Sequence, residues 1–185
     1  METMYVRLTA AEQRIVRFIA KSRSQTNRQN GITDARVGPQ SSEDLDIIGF
    51  GAEMAFCKMF NVYPDFSVQP RKGGADCLRF GNAIDVKSTT YGKGKLLAVP
   101  NKELLAADVY ALMIVEWAYK DDESEALFRF AGFAKASELL AENRLTDLGH
   151  GPTYAINQDE LAQTHGAFAF VECPLCGTTD CEHMQ

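Results

Sequence analysis

One tryptophan, three histidines and five cysteines are thinly spread over 185 residues, and each scarcity narrows what the chain can be. Five is an odd count, and Cys173, Cys176 and Cys181 all fall in the last thirteen residues, so a disulfide framework is not expected. No apolar run approaches bilayer length; the stretch around residues 111–115 is far too short. Residues 1–5 lack both a charged n-region and an apolar h-region, so no secretory signal is expected. Internal repeats, heptads and low-complexity tracts are also missing. These absences predict a soluble, reduced, cytoplasmic protein with no membrane partner. The 45% apolar and 24% charged content is that of an ordinary globular chain, long enough for one packed domain.

The formal charge is −6, which argues against a general nucleic-acid coat. It is unevenly placed. Residues 1–40 hold seven cations (Arg7, Arg14, Arg17, Lys21, Arg23, Arg28, Arg36) and three acids (Glu2, Glu12, Asp34), a net of +4 that leaves −10 on the remainder. A basic arm on an acidic body can hold a polyanion beside a carboxylate site, and it can equally be a solvated helix face followed by a polar linker.

Thr9 and Glu12 form a capping-box pattern ahead of Ile15, Val16, Phe18 and Ile19, which predicts a helix over 10–21. Residues 22–45 are polar and read as a loop. A second, almost wholly apolar helix is expected over 47–60. Strands are expected over 66–69, 76–80, 83–88 and 127–133. The run 109–117 reads as a central strand buried on both faces. Short helical pieces are expected near 102–106, 135–141 and 159–163, and extended pieces at 153–156 and 167–172. The organisation predicted is an N-terminal helix and polar linker over 1–45, a core domain over 46–172, and a tail over 173–185.

The chemistry concentrates between Gly74 and Lys87. A Gly81-Asn82 turn supplies the positive φ angles of a tight hairpin. In that register Phe80 faces Ala83, Leu78 faces Asp85, and Asp76 faces Lys87. Asp76, Asp85 and Lys87 then share one face, while Cys77, Ile84 and Val86 face a core. Two carboxylates and a lysine so placed suit a divalent-metal hydrolytic site, in which magnesium takes one or two carboxylates plus water and phosphate oxygens. The bland reading is a surface hairpin with an ordinary Asp76–Lys87 salt bridge.

Glu53 sits in the apolar second helix among Phe50, Phe56, Cys57 and Phe60, where a carboxylate loses hydration unless something compensates. A metal at the adjoining hairpin would compensate; so would reaching water, or pairing with Lys58 or Arg71. Downstream, Ser88, Thr89 and Tyr91, with Lys93 and Lys95 on a glycine-flanked loop, are candidates for phosphate contacts, although hydroxyls at a strand end are also plain turn chemistry.

A helix with Gly-x-x-Glu-x-Ala (Gly49 or Gly51 ahead of Glu53), a hairpin Asp, then Asp-Val-Lys on the next strand resembles the PD-(D/E)XK nuclease superfamily, over residues 44–145. Small phage-encoded or mobile-element members are the ones this layout most resembles, which would place the protein in the cytoplasm of an infected host. The resemblance implies a restriction-endonuclease-like αβββαβ core: a mixed central sheet flanked by helices, with the N-terminal helix and a small C-terminal Cys/His knuckle added. It implies magnesium or manganese on Asp76 and Asp85, with the Val86 carbonyl. Lys87 would position or activate water, and Glu53 would complete the site. DNA is the implied substrate and a homodimer the implied assembly. Ala75 stands where a proline often precedes the first aspartate of this motif.

Cys173 and Cys176 form a CxxC turn, and Cys181 and His183 follow, four ligands suited to a closed zinc site; the alternative is a frayed tail with exposed thiols. His150 and His165 have no motif neighbours and read as structural or surface residues. Besides the nuclease, two readings stay open: a non-catalytic nucleic-acid or protein-binding module on the same fold with a zinc knuckle, and a thiol-based redox or metal-handling protein built on Cys173 and Cys176.

Overall fold

The structure, a computed structural model, describes residues 3–31, 42–69, 75–79, 81–100, 107–117, 124–149 and 151–163. The expected pieces at 102–106 and 167–172, the residues Phe80, His150 and His165, and the knuckle ligands Cys173, Cys176, Cys181 and His183 lie outside them.

The fold is mixed α/β. Strand β1 (Tyr5–Leu8) leads into helix α1 (Ala10–Gln29), and α2 (Ser42–Met59) follows. Then come β2 (Cys77–Arg79), β3 (Asn82–Thr89), β4 (Leu96–Ala98), β5 (Val109–Trp117) and β6 (Ala126–Lys135). A short helix α3 (Ala136–Leu139), β7 (Leu145–Asp147) and β8 (Pro152–Ile156) complete it. Five strands form one mixed sheet in the order β1-β6-β5-β3-β2, in which β3 and β5 are parallel and the other pairs antiparallel. A smaller antiparallel sheet has the order β4-β8-β7.

The alternation of side chains divides the main sheet between two cores. Ile84 and Val86 of β3, Ala111 and Met113 of β5, and Phe128 and Phe130 of β6 pack with Val16, Phe50 and Phe56 of the two long helices. Tyr110, Leu112, Ile114 and Ala131 face the other way, against Leu96, Leu139 and Ile156 from the smaller sheet and α3. Strand β5 is covered on both faces, and Val109 to Val115 are all buried, which is why its sequence is an unbroken apolar run.

Helix α1 begins with the capping box expected of it: Thr9 Oγ1 accepts from the Glu12 N–H at 3.3 Å, and the Thr9 N–H donates to Glu12 Oε2 at 2.7 Å. It runs two turns beyond the expected end at residue 21. Its stripe continues through Ala20, Ser24 and Asn27, all buried, so small polar residues take over the role of the apolar ones. Three strands were not expected (β1, β4 and β7), each of only three or four residues. Residues 66–69, expected as a strand, form none; Phe66 instead packs edge-on against Phe50, with ring centroids 6.2 Å apart.

Candidate active site

The hairpin forms, in a different register from the one the turn suggested. Cys77 pairs with Ile84, Leu78 with Ala83 and Arg79 with Asn82, so Asn82 belongs to the strand and Asp76 does not face Lys87. Gly81, at φ 77°, supplies the left-handed residue of the turn, where a side chain would be strained. The correction moves every pair by two residues in sum, an even shift. It therefore keeps Cys77, Ile84 and Val86 on the core side, as expected.

Asp85 and Lys87 are paired with Tyr110 and Leu112 of β5 and share their face, opposite the helical layer. Lys87 Nζ lies 2.7 Å from Asp85 Oδ1. Asp85 is largely enclosed, its side chain 16% exposed, whereas Lys87 at 38% is open to solvent. Asp76 precedes β2. Its N–H donates to the Ile84 carbonyl at 2.8 Å, and its Oδ2 accepts from the Val86 N–H at 2.7 Å. The carboxylate thus takes a strand N–H that β2 has stopped short of pairing.

Glu53 approaches from α2. Its Oε2 accepts from Arg23 Nη1 at 3.0 Å, and both side chains are mostly buried. Arg23 also donates to the carbonyls of Asp65 (2.6 Å) and Ser67 (3.0 Å), and its guanidinium stacks 4.6 Å over the Phe50 ring. Of the partners expected for Glu53, Lys58 is replaced by Arg23. Lys58 bonds instead to Glu12 and the Arg7 carbonyl, and Arg71 lies outside the described residues. Arg23 is the site residue that sequence reasoning missed. Its signal was present in the stripe Val16, Ala20, Ser24, Asn27, which extends α1 past residue 23 and carries the guanidinium alongside α2.

The four predicted residues are within electrostatic reach of one another. Burial pushes the Asp76 carboxyl well above its ordinary range, and the charges of Glu53 and Asp85 push further; the Val86 N–H and Lys87 oppose them. Burial likewise raises Glu53, with Asp85 adding to the rise and Arg23 and Lys87 opposing it. Burial first, and Asp85 second, push the Tyr110 phenol up to about 12. Beneath the hairpin, Cys57 of α2 and Cys77 of β2 are buried free thiols that hydrogen-bond to each other; that bond and burial hold the Cys57 thiol protonated.

Among the described residues no three His, Cys, Asp or Glu side chains are gathered to hold a metal unaided. Magnesium does not need three: one or two carboxylates with water and phosphate oxygens suffice. Asp76 and Asp85 supply hard oxygen donors, and a bound dication would offset both the lost hydration and the lesser charge repulsion that raise Asp76 and Glu53. The donor set fits the ion.

The candidate phosphate-contact residues separate by face. Ser88 pairs with Met113 on the helical side, away from Lys87, while Thr89 pairs with Ile114 on the Lys87 side. Tyr91, Lys93 and Lys95 are exposed on the loop that follows.

A family model described as a family of unknown function, DUF5843, matches residues 1–174. The chain belongs to the DUF5843 family. No curated protein and no solved structure matches it. In this DUF5843 member no helix among the described residues is long and apolar enough to cross a membrane.

Proposed function

We propose that this DUF5843 protein is a divalent-metal-dependent nuclease of the PD-(D/E)XK type that hydrolyses DNA phosphodiester bonds. The observation that carries the reading is the gathering of Glu53 from a helix, Asp76 from the start of a hairpin, and Asp85 and Lys87 from its second strand into one largely enclosed cluster of carboxyl groups with a lysine beside it. Magnesium or manganese would be held by Asp76 and Asp85, with the Val86 carbonyl; Glu53, held by Arg23, would complete the site from behind these ligands. When bound, such an ion supplies an activated water and neutralises charge developing on the phosphoryl group.

The protein's own groups then have distinct tasks. Lys87, solvent-accessible and 2.7 Å from Asp85, orients the attacking water and offers a cation to the phosphoryl oxygens. Asp85 fixes the lysine. The Val86 N–H fixes the Asp76 carboxylate. Arg23 holds Glu53 in place from the helical layer.

One observation favours a second reading. Lys87 pairs with Asp85 and Glu53 with Arg23, so each has an internal partner, as in a non-catalytic nucleic-acid-binding module. Incubating supercoiled, linear and branched DNA with the protein in magnesium or manganese separates the two, beside Asp85→Ala and Lys87→Ala. Metal-dependent cleavage abolished by both substitutions is the expected result. Cleavage that survives both, or none on any substrate, removes the nuclease reading.

A further inference from the structure

From Lys87 to Asn101 the chain holds three lysines and no acidic residue. Strand β3 ends two residues past Lys87, and the loop from Thr90 to Lys95 leads to β4. Tyr91, Lys93 and Lys95 are exposed, and two glycines separate them. An exposed glycine-containing loop is costly to order. This one is nevertheless tied down along its length.

The Tyr91 N–H donates to Thr89 Oγ1 at 3.2 Å, and the Gly94 N–H to the Tyr91 carbonyl at 2.8 Å. Arg129 Nη2 donates to the Gly92 carbonyl at 2.8 Å. Gln158 Nε2 donates to the same carbonyl at 3.1 Å and to that of Gly94 at 2.7 Å. Gly94 packs so closely that a Cβ there would lie 2.5 Å from Thr89 Cγ2. The loop's carbonyls are thereby drawn inward, and its two ammonium groups and the tyrosine ring are what solvent meets.

Arg129 is not itself a cation for a ligand. It pairs with Ile114 across the sheet, its Nε lies 2.6 Å from Glu116 Oε1, and its Nη1 donates to Gln158 Oε1 at 3.3 Å. Its side chain is 17% exposed, and Glu116 neutralises it. What remains for it is to hold the loop. Ile114 also pairs with Thr89, so Arg129 and the end of β3 lie in one row across the sheet.

We propose that Tyr91 to Lys95 form a preformed clamp for the phosphodiester backbone, in which Lys93 and Lys95 take phosphates beside the bond presented to Lys87, and that Arg129 and Gln158 are positioning residues that hold the clamp in its binding shape. The proposal rests on the nuclease reading for its substrate class. An ordered loop loses less entropy on binding than a mobile one, so the benefit appears as affinity.

The test is fluorescence anisotropy of a short labelled duplex over a salt series, with calcium and separately with EDTA, so that binding is read apart from cleavage. Lys93→Gln/Lys95→Gln is expected to weaken binding by about tenfold and to flatten the slope of log K against log salt by about 2, one unit per lost phosphate contact. Gln158→Leu removes no charge, yet is expected to flatten the slope toward that of the double variant, because the lysines lose their placement. Gly94→Ala, confined to the exposed loop, should act likewise if Gln158→Leu impairs folding. Wild-type affinity and slope in the double lysine variant overturn the clamp. A flattened slope there, with wild-type slopes in Gln158→Leu and Gly94→Ala, overturns the positioning role. Lysine-dependent binding without cleavage in magnesium or manganese keeps the clamp and discards the enzyme, so the two failures are distinguishable.

Discussion

Arg23 Nη1 on α1 lies 3.0 Å from Glu53 Oε2 on α2, and this pair carries the first long helix into the candidate site. The sequence suggested that a carboxylate in so apolar a helix needed something to offset lost hydration: a metal, water at the rim, or a cation such as Lys58 or Arg71. The guanidinium supplies part of that compensation from within the chain, and its Nη2 and Nε donate to the carbonyls of Asp65 and Ser67. Arg23 therefore couples helix packing to the chemistry of the hairpin.

Removing the arginine leaves a buried carboxylate without its partner. Arg23→Ala is expected to lower stability by roughly 3 kcal/mol, read by urea denaturation. Glu53→Gln in the same background should recover part of the loss, because the uncompensated charge goes with it. Strict additivity of the two substitutions would show that the pair does not interact.

The pH dependence of stability follows from the raised carboxyls. Asp76 and Glu53 have folded-state pKa values above their ordinary 3.8 and 4.5, so the folded protein binds more protons than the unfolded one just above those values. Their contribution to stability is present at low pH and is lost as pH rises through the folded pKa values. In EDTA, melting temperature should fall over that interval more steeply in the wild type than in Asp76→Asn. Magnesium should raise the melting temperature of the wild type most at the upper end of the interval, where both carboxylates are ionised. A magnesium shift equal in Asp76→Asn and wild type would remove Asp76 from the ligand set.

Lys87 is exposed enough that its loss should not unfold the protein. Lys87→Ala is expected to reduce cleavage by about 10²-fold or more while leaving the urea midpoint close to that of the wild type. Equal losses of stability and activity would instead mark the Asp85–Lys87 pair as structural.

Gly132 in β6 is strained for any other residue. Its φ is 137°, and a Cβ would lie 2.6 Å from Leu161 Cβ and 2.9 Å from the Ala162 carbonyl. Those atoms belong to the segment that bridges to Phe133, whose N–H donates to the Ala162 carbonyl at 2.8 Å and whose carbonyl accepts from the Ala162 N–H at 2.9 Å. Gln163 adds a bond to the Ala131 carbonyl. Gly132→Ala should cost about 2 kcal/mol or more and raise hydrogen exchange at the Phe133 and Ala162 amides.

The sequence by itself determined the elements whose patterns are strongly periodic or strongly apolar. The capping box at Thr9, the doubly covered strand at Val109–Trp117, and the even spacing of Asp85 and Lys87 against Ile84 and Val86 were all legible, because burial imposes them locally. Strands of three or four residues, such as β4 and β7, carry too few alternations to be read. Ser24 and Asn27 hid the continuation of α1, since polarity masked their burial. Tertiary structure alone decided the pairing of the hairpin, which no single turn dipeptide fixes, and the choice of Arg23 as the partner of Glu53. It alone placed Arg129 and Gln158 behind the Gly92 and Gly94 carbonyls. The Arg23, Arg129 and Gln158 contacts each join residues about thirty or more positions apart. Nothing local selects among such partners; the packing of both sheet faces does, by bringing one set of polar groups within bonding distance.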